Sequence, residues 1–182
     1  MRMFSPAKGA IEVVQLDAAG VRTAENDLAA LLVDAVAGGA SAGFLPPFGA
    51  GDAIRYWRGA AEAVEAGRTR LLVARREGSL AGTVQLQFAS FPNGRHRAEV
   101  AKLLVHSSAR RQGIARQLME AVEALALAEG RTLLLLDTQT DSPAERLYLG
   151  LGWEIAGYIP GHAYAPDGLR YPTTLFFKAL DE

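Results

Sequence analysis

Arg110-Arg111-Gln112-Gly113-Ile114-Ala115, followed by Arg116, is the segment of this sequence best suited to hold an anion. It falls where an apolar strand gives way to an amphipathic helix, and at such a junction free backbone N–H groups and the helix dipole point at whatever occupies the turn. Gly113 lets the backbone approach a phosphate closely, small Ala115 lets the helix seat on a sheet, and the three arginines add charge, so a pyrophosphate-bearing ligand is the expected occupant. The alternative is that these arginines only solvate a helix start. Two carboxylates stand apart from the ordinary charged surface. Strand alternation puts Glu99 on one face with Ala101, Leu103 and Val105, an apolar row where a carboxylate is costly to bury unless it is paired or used. Asp137 ends the run Leu133-Leu134-Leu135-Leu136, and carboxyl ends of buried parallel strands are where ligand crevices open. Either could serve as a base with a raised pKa. Equally, Glu99 could meet Lys102, Arg97 or a backbone amide, and Asp137 could cap a turn. The chain has no cysteine, which excludes disulfides, thiolate metal sites and an acyl-cysteine intermediate. His96, His106 and His162 are scattered without metal-ligand spacing, so no metal is expected.

These groups need a scaffold, and the apolar periodicity supplies one. Ile11–Leu16 reads as a strand and Val21–Val36 as a helix stopped by Gly38-Gly39. Glycines and prolines from Ala40 to Gly51 make an ordered, apolar loop, after which Asp52 caps a helix over Ala53–Ala66 that carries Tyr56 and Trp57. Leu71–Arg75 and Leu80–Ala89 form a hairpin around Glu77-Gly78. A strand over Arg97–Val105, a helix over Gln112–Glu129 with the stripe Ile114, Leu118, Val122, Leu125, and the Leu133–Leu136 strand form a βαβ unit. Ser142-Pro143-Ala144-Glu145 combines a capping box with proline at the first helical position and starts a short helix to Leu149, which carries Tyr148. Two strands follow, near Glu154–Ile159 and Pro172–Ala179. With no repeat or linker, residues 1–182 read as a single α+β domain with a mixed sheet.

Composition narrows the function further. Nineteen basic and 20 acidic side chains give a net charge of −1, so no basic field exists to gather nucleic acid. No apolar run reaches the ~20 residues of a membrane span, and no signal core is found at the start, so neither a membrane nor export is expected and the cytoplasm is the default location.

Val100 to Ala115, with Leu103-Leu104-Val105 closing a strand before R-R-Q-G-I-A, resembles the acetyl-CoA motif of the GNAT superfamily of N-acetyltransferases, and Tyr148-Leu149-Gly150-Leu151-Gly152-Trp153 resembles its Y-x-x-x-G-F signature. Arg97-Ala98-Glu99-Val100 through Lys102-Leu103, Leu136-Asp137-Thr138, Pro166-Asp167-Gly168 and Phe177-Lys178 are similar to the tabtoxin resistance type within that superfamily. Asp141 departs from the asparagine that many members carry there, and Ser142 is the candidate substitute for its contact with the cofactor.

The resemblance implies a mixed sheet of about seven strands flanked by about four helices, with acetyl-CoA on the βαβ core. It implies that backbone groups of Leu103, Leu104 and Val105 pair with the pantetheine, and that N–H groups from Arg111 to Arg116 hold the pyrophosphate. Glu99 and Asp137 become active-site carboxylates, Tyr148 the acid that protonates the departing thiolate, and the region of Phe44, Tyr56 and Trp57 the acceptor pocket. The expected activity is transfer of an acetyl group to the amine of a small molecule, amino-acid-like or antibiotic- or toxin-like, by direct attack in a ternary complex, from a monomer or homodimer. Acetylation of protein N-termini or lysines, and acyl-CoA binding without catalysis, are the alternatives.

Overall fold

Short apolar runs separated by glycine-rich turns build one seven-stranded sheet in the computed structural model, which describes residues 9–40 and 42–180. The strands are β1 (Ile11–Leu16), β2 (Thr69–Arg76), β3 (Ser79–Phe88), β4 (Arg97–Val105), β5 (Leu133–Gln139), β6 (Glu154–Tyr164) and β7 (Arg170–Ala179), in spatial order β1-β2-β3-β4-β5-β7-β6. Every neighbouring pair is antiparallel except β4 and β5. The crossover between those two is the helix α4, so the expected βαβ unit is present.

Among the described residues five α-helices flank the sheet, where about four were expected: α1 (Ala18–Thr23), α2 (Glu25–Ala37), α3 (Ala50–Glu65), α4 (Ile114–Ala128) and α5 (Pro143–Leu149). The extra helix arises because the segment read as one helix from Val21 breaks at Ala24 (φ −88°, ψ 8°). Asp17 caps α1, its carboxylate accepting from the Gly20 N–H at 2.7 Å, which periodicity alone cannot register. Asp52 is not the cap of α3 but its third residue; its carboxylate accepts from the N–H of the capping Gly49 at 3.2 Å, so the helix starts earlier than expected. β5, β6 and β7 run longer than the apolar patches that announced them, and Asp137 lies two residues inside β5 rather than at its end.

Each sheet face buries its own core. On one side α4 packs Ile114, Leu118, Met119, Val122 and Ala126 against Val84, Leu86, Val100, Leu134 and Leu136, with Tyr148 of α5 beside them. On the other, α1 to α3 enclose Leu71, Val73 and Leu104 with Leu28, Leu32 and Trp57. Gly82 marks how close the layers come: a Cβ there would lie 2.8 Å from the Leu104 carbonyl and 3.1 Å from Ile114 and Leu118 side chains, so only glycine fits. Leu134 and Leu136 are buried, whereas Leu133 and Leu135 on the opposite face are only half-buried. The full apolar cover expected for this strand is therefore present on one face.

β4 and β5 pair through only three positions, Arg97 with Leu133, Ala98 with Leu134 and Glu99 with Leu135. Beyond them the ladder between the two strands stops, although both continue, which leaves main-chain groups on facing strand edges open to a ligand.

Candidate active site

β4 does not alternate regularly. Gly82 pairs with Val105 and Thr83 with Leu104, but Gln85 pairs with Ala101, so Lys102 and Leu103 together oppose the single residue Val84. This is a β-bulge, and Lys102 takes the left-handed conformation it requires (φ 52°). The bulge corrects the expected face of Glu99. Ala98 and Val100 point to α4, as do Leu103 and Val105 beyond the bulge, while Leu104 joins the opposite core. Glu99 therefore shares a face with Ala101 and Leu104, not with Leu103 and Val105. Unbroken alternation would have pushed Lys102 into the core beside Val100 and Leu104. A lysine in phase with three apolar residues was the signal for the bulge.

The bulge turns Lys102 toward the loop before α3, where its Nζ lies 5.8 Å from the Phe44 ring centre and 5.6 Å from that of Tyr56. Glu99 is exposed at the opening rather than enclosed as expected, but partial desolvation still lifts its carboxyl above the ordinary range, Asp137 adds repulsion in the same direction, and Lys102 opposes both. Burial holds the Lys102 ammonium below its ordinary range, against the attraction of Asp137 and Glu99. Burial likewise raises the Tyr148 phenol, again with a contribution from Asp137. Asp137 is thus within Coulombic reach of all three side chains, and Glu99, Lys102, Asp137 and Tyr148 surround the place where β4 and β5 part. Tyr148 is 6% exposed, its ring edge-on to Phe176 at 5.8 Å and tilted against Trp153 at 6.1 Å. Among the described residues, its hydroxyl makes no hydrogen bond.

Below this cluster, β4 runs through a 3₁₀ turn (Ser107–Ala109) into the arginine segment. Asp34 of α2 holds the turn, accepting from the Ser107 N–H at 2.8 Å and its hydroxyl at 2.6 Å. Arg111 (φ 61°) and Gly113 (φ 82°) are both left-handed, and Gly113 stands at the start of α4 with no side-chain cap. The first-turn N–H groups of Ile114, Ala115 and Arg116 are left for another partner. A Cβ on Gly113 would meet no protein atom within 4 Å, so the glycine answers to backbone conformation and open approach rather than to packing. Arg110 reaches back toward the Val105 carbonyl (3.4 Å), Gln112 accepts a hydrogen bond from Arg76, and Arg116 lies 3.9 Å from Glu120. Ile114 is buried, so of this residue only the backbone could serve a ligand.

Ser142 caps α5, accepting from the Glu145 N–H at 3.2 Å. The reciprocal half of the expected capping box is not made. The buried Glu145 carboxylate instead accepts from Thr174 Oγ1 at 2.7 Å and from the Asp141 N–H. Asp141 is left-handed (φ 63°), a conformation that aspartate and asparagine tolerate better than most residues. The departure at this position therefore preserves the turn.

A cleft of about 200 Å³ opens on the sheet face that also carries Glu99, lined by Gly43, Phe44, Gln139, Tyr164, Tyr171 and Thr173 among others; Glu99, Lys102, Asp137 and Tyr148 lie beside it and do not line it. Gln139 is two residues beyond Asp137 on the same strand face. Of the three aromatic residues expected here, Phe44 lines the cleft. Tyr56 stands behind it, its hydroxyl donating to Gln85 at 3.2 Å and pushed up to about 12 by burial. Trp57 is fully buried in the core and does not reach the cleft. Sequence reasoning missed Lys102 and the β6–β7 residues, because the latter become neighbours of the early loop only through the sheet order. Among the described residues, no group of three or more histidine, cysteine, aspartate or glutamate side chains converges as a metal site would.

The model of the acetyltransferase (GNAT) family matches residues 34–153, which include the βαβ unit and α5. N-acetyltransferase 8B of Rattus norvegicus is 37% identical over 82 residues, 44% of this chain, and the chain spans only 37% of that protein's length. Among solved structures, an N-acetyltransferase from Staphylococcus aureus Mu50 superposes with a TM-score of 0.79, covering 94% of this chain and 99% of its own at 19% identity. A Salmonella typhimurium protein solved with acetyl-CoA superposes with a TM-score of 0.75, covering 95% of each chain at 19% identity. At these identities the two structures speak for the fold.

Proposed function

Because this chain has the GNAT fold and belongs to the acetyltransferase (GNAT) family of acyltransferases, we propose that it transfers an acetyl group from acetyl-CoA to the amine of a small molecule, amino-acid-like or antibiotic- or toxin-like. The observation that carries this reading is the parting of β4 from β5 after Glu99 and Leu135, with Glu99, Asp137 and Tyr148 grouped around the opening. The residues present suit the co-substrate: unpaired strand edges near Leu103, Leu104 and Val105 match an amide-bearing pantetheine, and the uncapped α4 start with Gly113 and Arg111 matches a pyrophosphate. Acetyl-CoA supplies an already reactive thioester, so the protein's contribution is chiefly position and proton handling.

Glu99 or Asp137 takes the proton of the acceptor ammonium, directly or through water. Raised basicity suits Glu99 to that task, since partial desolvation, with Asp137 adding to it, already disfavours the bare carboxylate. Backbone N–H groups beside Leu104 or Val105 face the developing negative charge, and Tyr148, kept protonated by burial, gives its proton to the departing sulfur. The similarity of the segments around Glu99 and Asp137 to the tabtoxin resistance type supports these roles, and that type's own substrate is not carried over as the acceptor here. The cleft of about 200 Å³ beside these residues is of a size for a small acceptor, which supports a small molecule over a peptide. The test is release of CoA thiol across a panel of amines and peptides. The chain has no cysteine, so a thiol reagent reads CoA without protein background. Turnover of peptides alone, or of nothing despite tight acetyl-CoA binding, would overturn the small-amine reading.

A further inference from the structure

Lys102 has no assigned part in proton handling, yet it is held at the site by an unusual backbone. The bulge in β4 fixes it in a left-handed conformation and turns it away from the α4 core to the face of Glu99 and Asp137. Its ammonium rests over the faces of Phe44 and Tyr56. A Cβ built on Gly43 would come within 3.8 Å of Nζ, and Gly43 and Phe44 are themselves cleft lining. Among the described residues, no carboxylate lies within ion-pair distance of it, although Glu99 and Asp137 attract it from further off. A half-buried cation held by ring faces and two distant carboxylates is incompletely neutralised, as its depressed basicity also indicates. At the same opening, Glu99 and Asp137 suit the ammonium of an acceptor. The two carboxylates thus stand where β4 and β5 part, and the ammonium stands apart from them, against Gly43 and Phe44 at the edge of the cleft.

We infer that the acceptor carries an anionic group of the carboxylate type a few bonds from its amine, and that Lys102 binds this group while Glu99 and Asp137 face the amine. This rests on the acetyltransferase reading and narrows its substrate class to amino acids or amines with an equivalent acid. Lys102 is then a specificity residue, placed by the bulge, and the short arc from Gly43 to Phe44 over it sets how far the acid can sit from the reacting nitrogen.

The experiment uses the full chain with acetyl-CoA and a panel of L-amino acids, each paired with its carboxamide. Thiol release is measured for wild type, Lys102→Gln and Lys102→Arg, with acetyl-CoA binding and melting temperature determined for each. A charge-assisted contact of this kind should favour acid over amide by ~10–100-fold in kcat/KM in the wild type. Lys102→Gln should collapse that ratio, mainly through a higher KM for the acids, and Lys102→Arg should retain most of it. A wild type that prefers the amides, or a ratio unchanged in Lys102→Gln, would overturn the inference. So would equal slowing of acids and amides by Lys102→Gln, since Lys102 would then act on a step common to both. Acetyl-CoA binding without turnover of any acid on the panel also counts against it. Failure to bind acetyl-CoA at all is a different result, and removes the acetyltransferase reading itself.

Discussion

Gly113 offers a test in which strain and ligand contact separate cleanly. It stands at φ 82° with no protein atom within 4 Å of a built Cβ, so the Cβ that Gly113→Val adds is not crowded by the protein. A left-handed L-residue costs ~1–2 kcal/mol. For a chain of this size that lowers the melting temperature by about 2–8 °C, at ~2–4 °C per kcal/mol. The second effect needs the ligand. If the first-turn N–H groups of α4 hold the pyrophosphate, a branched side chain beside them displaces it and forfeits a charge-assisted hydrogen bond of ~1.5–3 kcal/mol, or ~10–150-fold in Kd. Gly130 is the control: it follows α4 at φ 69° and also has nothing within 4 Å, so Gly130→Val should show the melting loss without the binding loss. Calorimetric titration of acetyl-CoA into both variants, well below their melting temperatures, reads the difference. Wild-type affinity in Gly113→Val would refute the placement of the pyrophosphate on α4.

Tyr148→Phe should lower kcat by ~10²-fold with acetyl-CoA affinity nearly unchanged; an unaltered kcat in pre-steady-state measurements returns Tyr148 to a packing role against Phe176 and Trp153. Glu99→Gln and Asp137→Asn should each lose ~10²–10⁴-fold in kcat/KM while remaining folded, and the acidic limb of the pH profile should change; full activity in both would sink the proposed base. Because the folded-state pKa of Glu99 is raised, the native protein binds the extra proton and its stability falls as pH rises through the window between the unfolded and folded values. Glu99→Gln should therefore melt higher than wild type at neutral pH and no higher at pH 3, and a lower neutral melting temperature would show a structural carboxylate instead. Asp34 has the opposite sign: burial raises it, but the hydrogen bonds from Ser107 prevail, with His106 and Arg110 adding to them, and the net shift is downward. Its contribution is present above the ordinary carboxylate pKa and lost as pH falls through the folded value, so Asp34→Asn should melt lower than wild type at pH 7, with the gap closing below about pH 4.

Much of this architecture was legible because its strands and helices carry clean periodicity. Arg97–Val105 and Pro143–Leu149 have the bounds expected of them, and the βαβ unit follows from one apolar strand, one amphipathic helix and one tetraleucine run. The misses have local causes. The break at Ala24 depends on a side-chain cap at Asp17, and the start of α3 on a carboxylate reaching back from Asp52; both are hydrogen bonds that hydrophobic spacing does not encode. In the site, the residue types at Glu99, Asp137 and Tyr148 were readable, but which way Glu99 faces was not, because one inserted residue reverses the phase of everything after it. The cleft-lining residues of β6 and β7 were hidden for a topological reason. They meet Gly43 and Phe44 only because β7 inserts between β5 and β6 in the sheet.

The β4 bulge also divides a single strand into two territories that can be altered separately. Before it, the odd-numbered residues Glu99 and Ala101 face the cleft side; at and after it, that surface belongs to Lys102 and Leu104, while Leu103 and Val105 lie beneath α4. A designer seeking a new acceptor should therefore vary 99, 101 and 102 as one block and leave 103 and 105 alone. Deleting Lys102 would be a different kind of change from any substitution: Leu103 alone would stand opposite Val84, the ladder with β3 would run straight, and Leu103 to Val105 would keep their faces, so the strand would lose only the residue that the bulge turns toward the cleft. Loops usually absorb length variation in a fold, but here a reading frame for side chains is kept inside a strand.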